Sequence, residues 1–254
     1  MKTHFIIFCF FLLLGSFLCL HSQGSAGDKA TYESRYIVDM PTAGVITKDT
    51  FSLFGNIFKN GGVLIDLTAA PFENFNMGIS FSSTNFIGDG SPSFQNLPGV
   101  TLRLRILNET LYFPAILLGL STQGRDEWLE NSKRFETLSP GIFIAISKSF
   151  RWILGSFAIH GGLGYSFEGN KNPNFWLGFE HSVGNISSIN IEFNANLDEE
   201  NGFIKKNRGT LNSSFRFSFV KGLTFEIQIK DLLESSKITK GFNRVISIEF
   251  IKSF

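Results

Sequence analysis

The residues best equipped for chemistry are few, and their spacing does little with them. Of the four histidines, His160 is followed by Gly161 and Gly162, and His181 is followed directly by Ser182. Successive side chains of a strand point to opposite faces, so His181 and Ser182 would not reach one substrate as the base and nucleophile of a hydrolase must. His160 alone stays open as a base for a lipid-active enzyme. The carboxylates of "RDEWLEN" and "DEEN" lack metal-ligand spacing and read as solvated loops, while "GNKNPN" and "IGDGSP" are turn chemistry. Phosphate-binding glycine loops, CxxC pairs and HExxH are absent. The sequence therefore predicts no catalytic, metal or cofactor site. With 23 basic and 22 acidic residues it has no overall field to draw in nucleic acid.

What remains is a set of single charges, and strand alternation says where they point. "LTFEIQIK" opposes Leu223, Phe225, Ile227 and Ile229 to Thr224, Glu226, Gln228 and Lys230. "INIEFNANL", "TLNSSFRFSF", "VTLRLRI" and "FNMGISFS" do the same with Phe, Ile and Leu on one face. The polar faces carry Asp66, Arg103, Arg105, Glu180, Glu192, Arg216, Glu226, Lys230 and Glu249. These nine are close to balance in sign. They are expected to pair across a narrow lumen, with Arg103, Arg105 and Arg216 as the only hint of an anion track.

The elements that would carry them are strands of about ten residues, near 50–58, 63–71, 75–85, 99–108, 110–121, 137–147, 152–167, 174–184, 187–197, 209–219, 222–231 and 242–254. Short inner turns such as "EN", "KSFR", "NIS" and "VKG" alternate with longer polar loops such as "QGRDEWLENSKR" and "DEENGFIKKNR". This is the organisation expected of an all-β, antiparallel, up-and-down transmembrane barrel of about 12 strands. The 30 Phe against 4 Tyr and 3 Trp suit an outside that faces lipid. A soluble, exported ligand-binding β-domain would instead turn the Phe faces inward.

The ends of the chain agree with export to an outer membrane. Lys2 and an apolar run from Phe5 to Leu20 predict a signal peptide over 1–26, cleaved after Ala26, and both cysteines, Cys9 and Cys19, lie inside it. Residues 27–48, with Pro41 and Gly44, read as a periplasmic arm leading into a barrel at 49–254. At the other end Ile246, Ile248, Phe250 and Phe254 share one face and resemble the carboxy-terminal signal read by the barrel-assembly machinery. Lys252 departs from that signal's usual apolar position.

"VDMPTAG", "MGISFSSTNFIGDG", "FPAILLGLSTQG", "GIFIAISKSF", "HGGLGYSFEG" and "NRVISIEF" together resemble the YjbH-type outer-membrane barrels. That resemblance implies an outer-membrane address and a link to envelope polysaccharide or its export proteins. It transfers no functional residue, and this chain holds one barrel's worth of residues where the enterobacterial members are longer. The expected role is structural or accessory, in contact with outer-membrane lipid; the alternative is a narrow porin for small, anionic solutes.

Overall fold

The computed structural model describes residues 33–152, 155–184, 186–199, 202–205, 209–239 and 241–254; the expected signal peptide lies outside the described residues. The strands are β1 (Thr50–Phe58), β2 (Gly62–Phe72), β3 (Phe75–Thr84), β4 (Ser93–Phe94), β5 (Gly99–Leu107), β6 (Ala115–Ser121), β7 (Arg125–Leu129), β8 (Arg134–Thr137), β9 (Gly141–Trp152), β10 (Gly155–Tyr165), β11 (Asn174–Val183), β12 (Ser187–Asn194), β13 (Thr210–Val220), β14 (Leu223–Lys230) and β15 (Asn243–Ser253). Twelve of them close an antiparallel barrel, in which each long strand pairs with its sequence neighbours and β15 returns to β1. Thr50 lies opposite Ser253 and Ile57 opposite Ile246. The two-residue β4 flanks β3, and β7–β8 is a separate hairpin at the outer end.

Alternation places the faces. Along β14, Ile227 is 50 % exposed while its neighbour Gln228 is 1 % exposed. Outside, Leu53, Ile65, Ile79, Leu177, Ile191 and Ile246 are similarly open, whereas inward positions are buried. An apolar exterior on a sheet without free edges is the form in which strands can cross lipid, because every backbone group is paired. Phe rings gather near the end where β1 begins: Phe217 stacks on Phe225 at 5.6 Å, Phe150 on Phe157 at 5.0 Å, and Phe51 lies 5.5 Å from Phe254. The terminus is tied down, since the Phe254 N–H donates to the Asp49 carbonyl at 3.0 Å.

Two expected boundaries move. The strand expected from 110 begins at Ala115, because Thr110 and Phe113 close a turn in which the Thr110 N–H donates to the Phe113 carbonyl at 2.9 Å. "KSFR" is not a turn but the end of β9, which runs on to Trp152 and sets Ser147 opposite His160. The outer segment "QGRDEWLENSKR", expected as loop, holds most of the β7–β8 hairpin.

Candidate functional site

The described part of the expected periplasmic arm, from Glu33 on, is inside the barrel, and residues 27–32 lie outside the described residues. Residues 33–46 form a tight hairpin in the lumen: the Thr42 N–H donates to the Arg35 carbonyl at 3.0 Å and the Ile37 N–H to the Met40 carbonyl at 2.9 Å. Tyr36 and Pro41 bridge its two limbs. The limbs approach so closely that a Cβ on Gly44 would lie 2.1 Å from the Ser34 carbonyl oxygen. We call this hairpin the plug. It enters beside Arg105, turns at Val38–Asp39 near the outer end, and returns to the start of β1, so both its limbs open toward the inner end.

All nine expected inward charges do point inward, but most grip the plug rather than each other. Glu192 takes the turn: one of its carboxylate oxygens accepts the backbone N–H groups of Val38, Asp39 and Met40 at 3.0, 2.9 and 2.8 Å. Three successive N–H groups converging on one anion make a nest, here filled by a side chain of the wall. The other oxygen accepts from Asn212 at 2.9 Å. The arginines take plug carbonyls. Arg103 donates to Arg35 and Thr42 at 3.0 and 2.6 Å, Arg105 to Ala43 at 3.0 Å, and Arg216 to Tyr36 at 2.7 Å.

Ion pairs complete the grip. Lys230 Nζ lies 2.7 Å from an Asp39 oxygen; Arg105 pairs with Glu33, and Arg35 of the plug pairs with Glu249 and lies 3.9 Å from Asp66. Within the wall, Arg216 meets Glu226 at 2.9 Å and Glu180 at 3.6 Å, the pairing expected of a narrow lumen. A buried charge is tolerable when it is paired; Arg216 and Glu226 are also hydrogen-bonded, whereas Glu180 has only the 3.6 Å ion pair.

The opposite wall meets the plug without charge. Ile37, Met40, Ala43 and Val45 pack with Ala115, Leu117, Phe143, Ala145 and Trp176, all buried. The indole of Trp176 also donates to the Pro41 carbonyl at 2.9 Å. Gly178 makes room for the turn, since a Cβ there would lie 2.4 Å from Ile37. A cleft with room for about 40 Å³ of water, open to solvent, remains at the inner end and is lined by Arg35, Tyr36, Arg216 and Glu249.

His160 lies behind this plug. It is buried, its Nδ1 is 2.8 Å from Ser147 Oγ, and that hydroxyl accepts the Ala43 N–H at 2.9 Å. A His–Ser pair therefore exists where spacing along one strand did not show it. It faces the plug and not lipid, and lines a cleft with Thr42, Ala43 and Glu180.

At the outer end the β7–β8 hairpin folds into the mouth. Arg134 holds Glu199 with two bonds of 2.8 Å, and Lys59 bonds Glu136 at 2.7 Å. Glu168 accepts the Phe135 N–H at 2.9 Å. Burial pushes the Glu168 carboxyl up and raises Asp198 to about 7. Arg35, Tyr36 and Asp39 of the plug, Arg125 and Asp126 of the hairpin, and Ser147 of β9 are site residues that sequence reasoning missed.

No protein-family model matches the chain, and no curated protein does. Solved structures with a similar course include an outer-membrane protein and porins. The Acinetobacter baumannii outer membrane protein Omp33 has 8 % identity and a TM-score of 0.45, over 81 % of this chain and 97 % of that one. A KdgM porin has 11 % identity and a TM-score of 0.42, over 81 % and 99 %. A mutant of the Rh. blastica porin has 7 % identity and a TM-score of 0.36, over 77 % of this chain and 57 % of its own length. The closed sheet, the apolar exterior and the polar, filled lumen make this chain an outer-membrane β-barrel.

Proposed function

We propose that the protein is an accessory outer-membrane barrel, sealed at rest by its own plug, rather than an open pore. The observation that carries this reading is the convergence of three plug N–H groups on Glu192. A charge-assisted cluster of that kind fixes the segment in one place in the lumen. The test is conductance in planar bilayers. The mature protein is expected to give no steady current, and replacement of 34–46 by a flexible linker is expected to open one. A steady current from the unaltered protein would overturn the sealed reading.

A second reading, a narrow porin, gains support from one observation. Arg103, Arg105 and Arg216 all donate to plug carbonyls, so their donors would face an empty lumen if the plug left. The opened barrel should then favour anions. Reversal potentials in a salt gradient distinguish anion preference from none.

The resemblance to YjbH-type barrels extends the accessory role to surface-polysaccharide export, with the outer loops or the plug as the docking parts. Loss of surface polysaccharide when the protein is deleted from its cell would support this, and an unchanged polymer would remove it. Ile246, Ile248, Phe250 and Phe254 are proposed to engage the assembly machinery.

A further inference from the structure

We infer that the outer β7–β8 hairpin latches the plug, so that displacing the hairpin from outside frees a segment that withdraws to the inside. This deepens the sealed-lumen proposal and rests on it. The hairpin reaches the plug through two adjacent residues. Asp126 sits at a break in the β7–β8 register, with a positive φ of 63°, and the irregularity turns its buried carboxylate into the lumen. There it shares one ammonium with the plug: Lys230 Nζ is 3.2 Å from both Asp126 oxygens and 2.7 Å from Asp39. Arg125, also buried, places its guanidinium 4.3 Å from the centre of the Tyr36 ring.

The rest of the hairpin is fastened to the rim. Glu136 takes Lys59 of the β1–β2 turn and accepts from Thr239 of the β14–β15 loop at 2.7 Å, while Arg134 takes Glu199 of the β12–β13 loop. A force or ligand acting on those loops therefore reaches the plug limb at Tyr36 through Arg125 and the plug turn at Asp39 through Asp126 and Lys230. Both limbs of the plug open toward the inner end, so the plug can leave without unthreading any strand. The states are a closed one with hairpin and plug engaged, and an open one with both released. Anything that binds the lifted hairpin shifts the population toward the open state.

The test uses the full mature chain carrying Ala43→Cys. Both natural cysteines lie within residues 1–26, so this thiol is the only one after cleavage. Ala43 is fully buried against the wall and becomes reachable only when the plug moves. A bulky, water-soluble maleimide is the probe, and heat-modifiable gel migration checks that each variant folds. Arg125→Leu keeps most of the side-chain volume but removes the cation over Tyr36. Lys230→Met leaves Asp39 and Asp126 with no cation between them. Each should speed labelling by about tenfold or more, the effect of about 1.4 kcal/mol on the open population. Lys133→Ser, at the exposed hairpin tip, should leave the rate unchanged.

Labelling that stays slow in Arg125→Leu and Lys230→Met overturns the latch. If Lys230→Met fails to fold, Arg125→Leu decides alone. Fast labelling with the hairpin unaltered overturns the sealed-lumen reading instead, so the two failures are distinct.

Discussion

The plug has two unlike neighbours. On one side the walls of β6, β9 and β11 offer it Ala115, Leu117, Phe143, Ala145 and Trp176, a dry surface. On the other, β12 to β15 offer Glu192, Arg216, Lys230 and Glu249. Burial of apolar surface is favourable and roughly proportional to area, but it has no direction. Hydrogen-bonded charges repay most of their gain in lost hydration, yet they accept only one geometry. The contrast assigns stability to the first side and register to the second. It also explains how a polar lumen holds a segment as apolar as "YIVDMPTAGVI".

The largest test of this division is Trp176→Ala. It removes the biggest fully buried side chain of the apolar side and the bond to Pro41, and should cost about 3–5 kcal/mol. The check is a lower temperature for conversion of the fast-migrating folded band. Gly178→Val comes next: its new methyls would meet Ile37, an overpacking of about 1–3 kcal/mol that pushes the plug turn away from the wall. Faster protease cleavage within the plug would report it. Glu192→Gln should cost less, about 1–2 kcal/mol, because an amide oxygen still accepts but without charge. Its mark should be a plug that stays in the lumen with its turn less ordered, seen as faster amide exchange at Val38, Asp39 and Met40. A larger loss for Glu192→Gln than for Trp176→Ala would reverse the comparison.

The barrel was legible in the sequence to a degree that the plug was not. Alternation in "LTFEIQIK" and "INIEFNANL" placed Glu192, Glu226 and Lys230 inward because lipid on one side and a polar lumen on the other leave period two intact. The plug left a signal of a different kind. β9, "GIFIAISKSFRW", is apolar on both faces, with Phe143 and Ala145 buried while Ile142 and Ile144 are exposed. A wet lumen has no use for inward Phe143, so a two-faced apolar strand indicates an internal partner. Ser147 was missed for a simpler reason. Placing the turn at "KSFR" shifts the β9–β10 register, and with it which residue faces His160. The Lys230 cluster was out of reach altogether, since Asp39 and Asp126 are distant in sequence and meet only once the hairpin folds inward.

The smallest expected effect lies at the outer mouth, where charge is buried with less compensation than at the plug. Asp198 stands among Glu168, Glu199 and Arg134, and burial raises its carboxyl from the ordinary 3.8 to about 7. A carboxyl with a raised value in the folded loops binds its proton more tightly there than in released ones. Its contribution to loop order is therefore complete below about pH 4 and lost as pH rises toward 7. Glu168, also raised by burial, shifts in the same direction. Amide exchange in 166–173 and 195–199, corrected for the intrinsic pH dependence of exchange, should be better protected at pH 5 than at pH 8. Asp198→Asn should reduce that difference, Glu168 supplying the remainder, while leaving the plug amides unchanged. If the plug amides followed the loops instead, the outer rim and the plug would be sharing charge more widely than Lys230 and Arg125 provide.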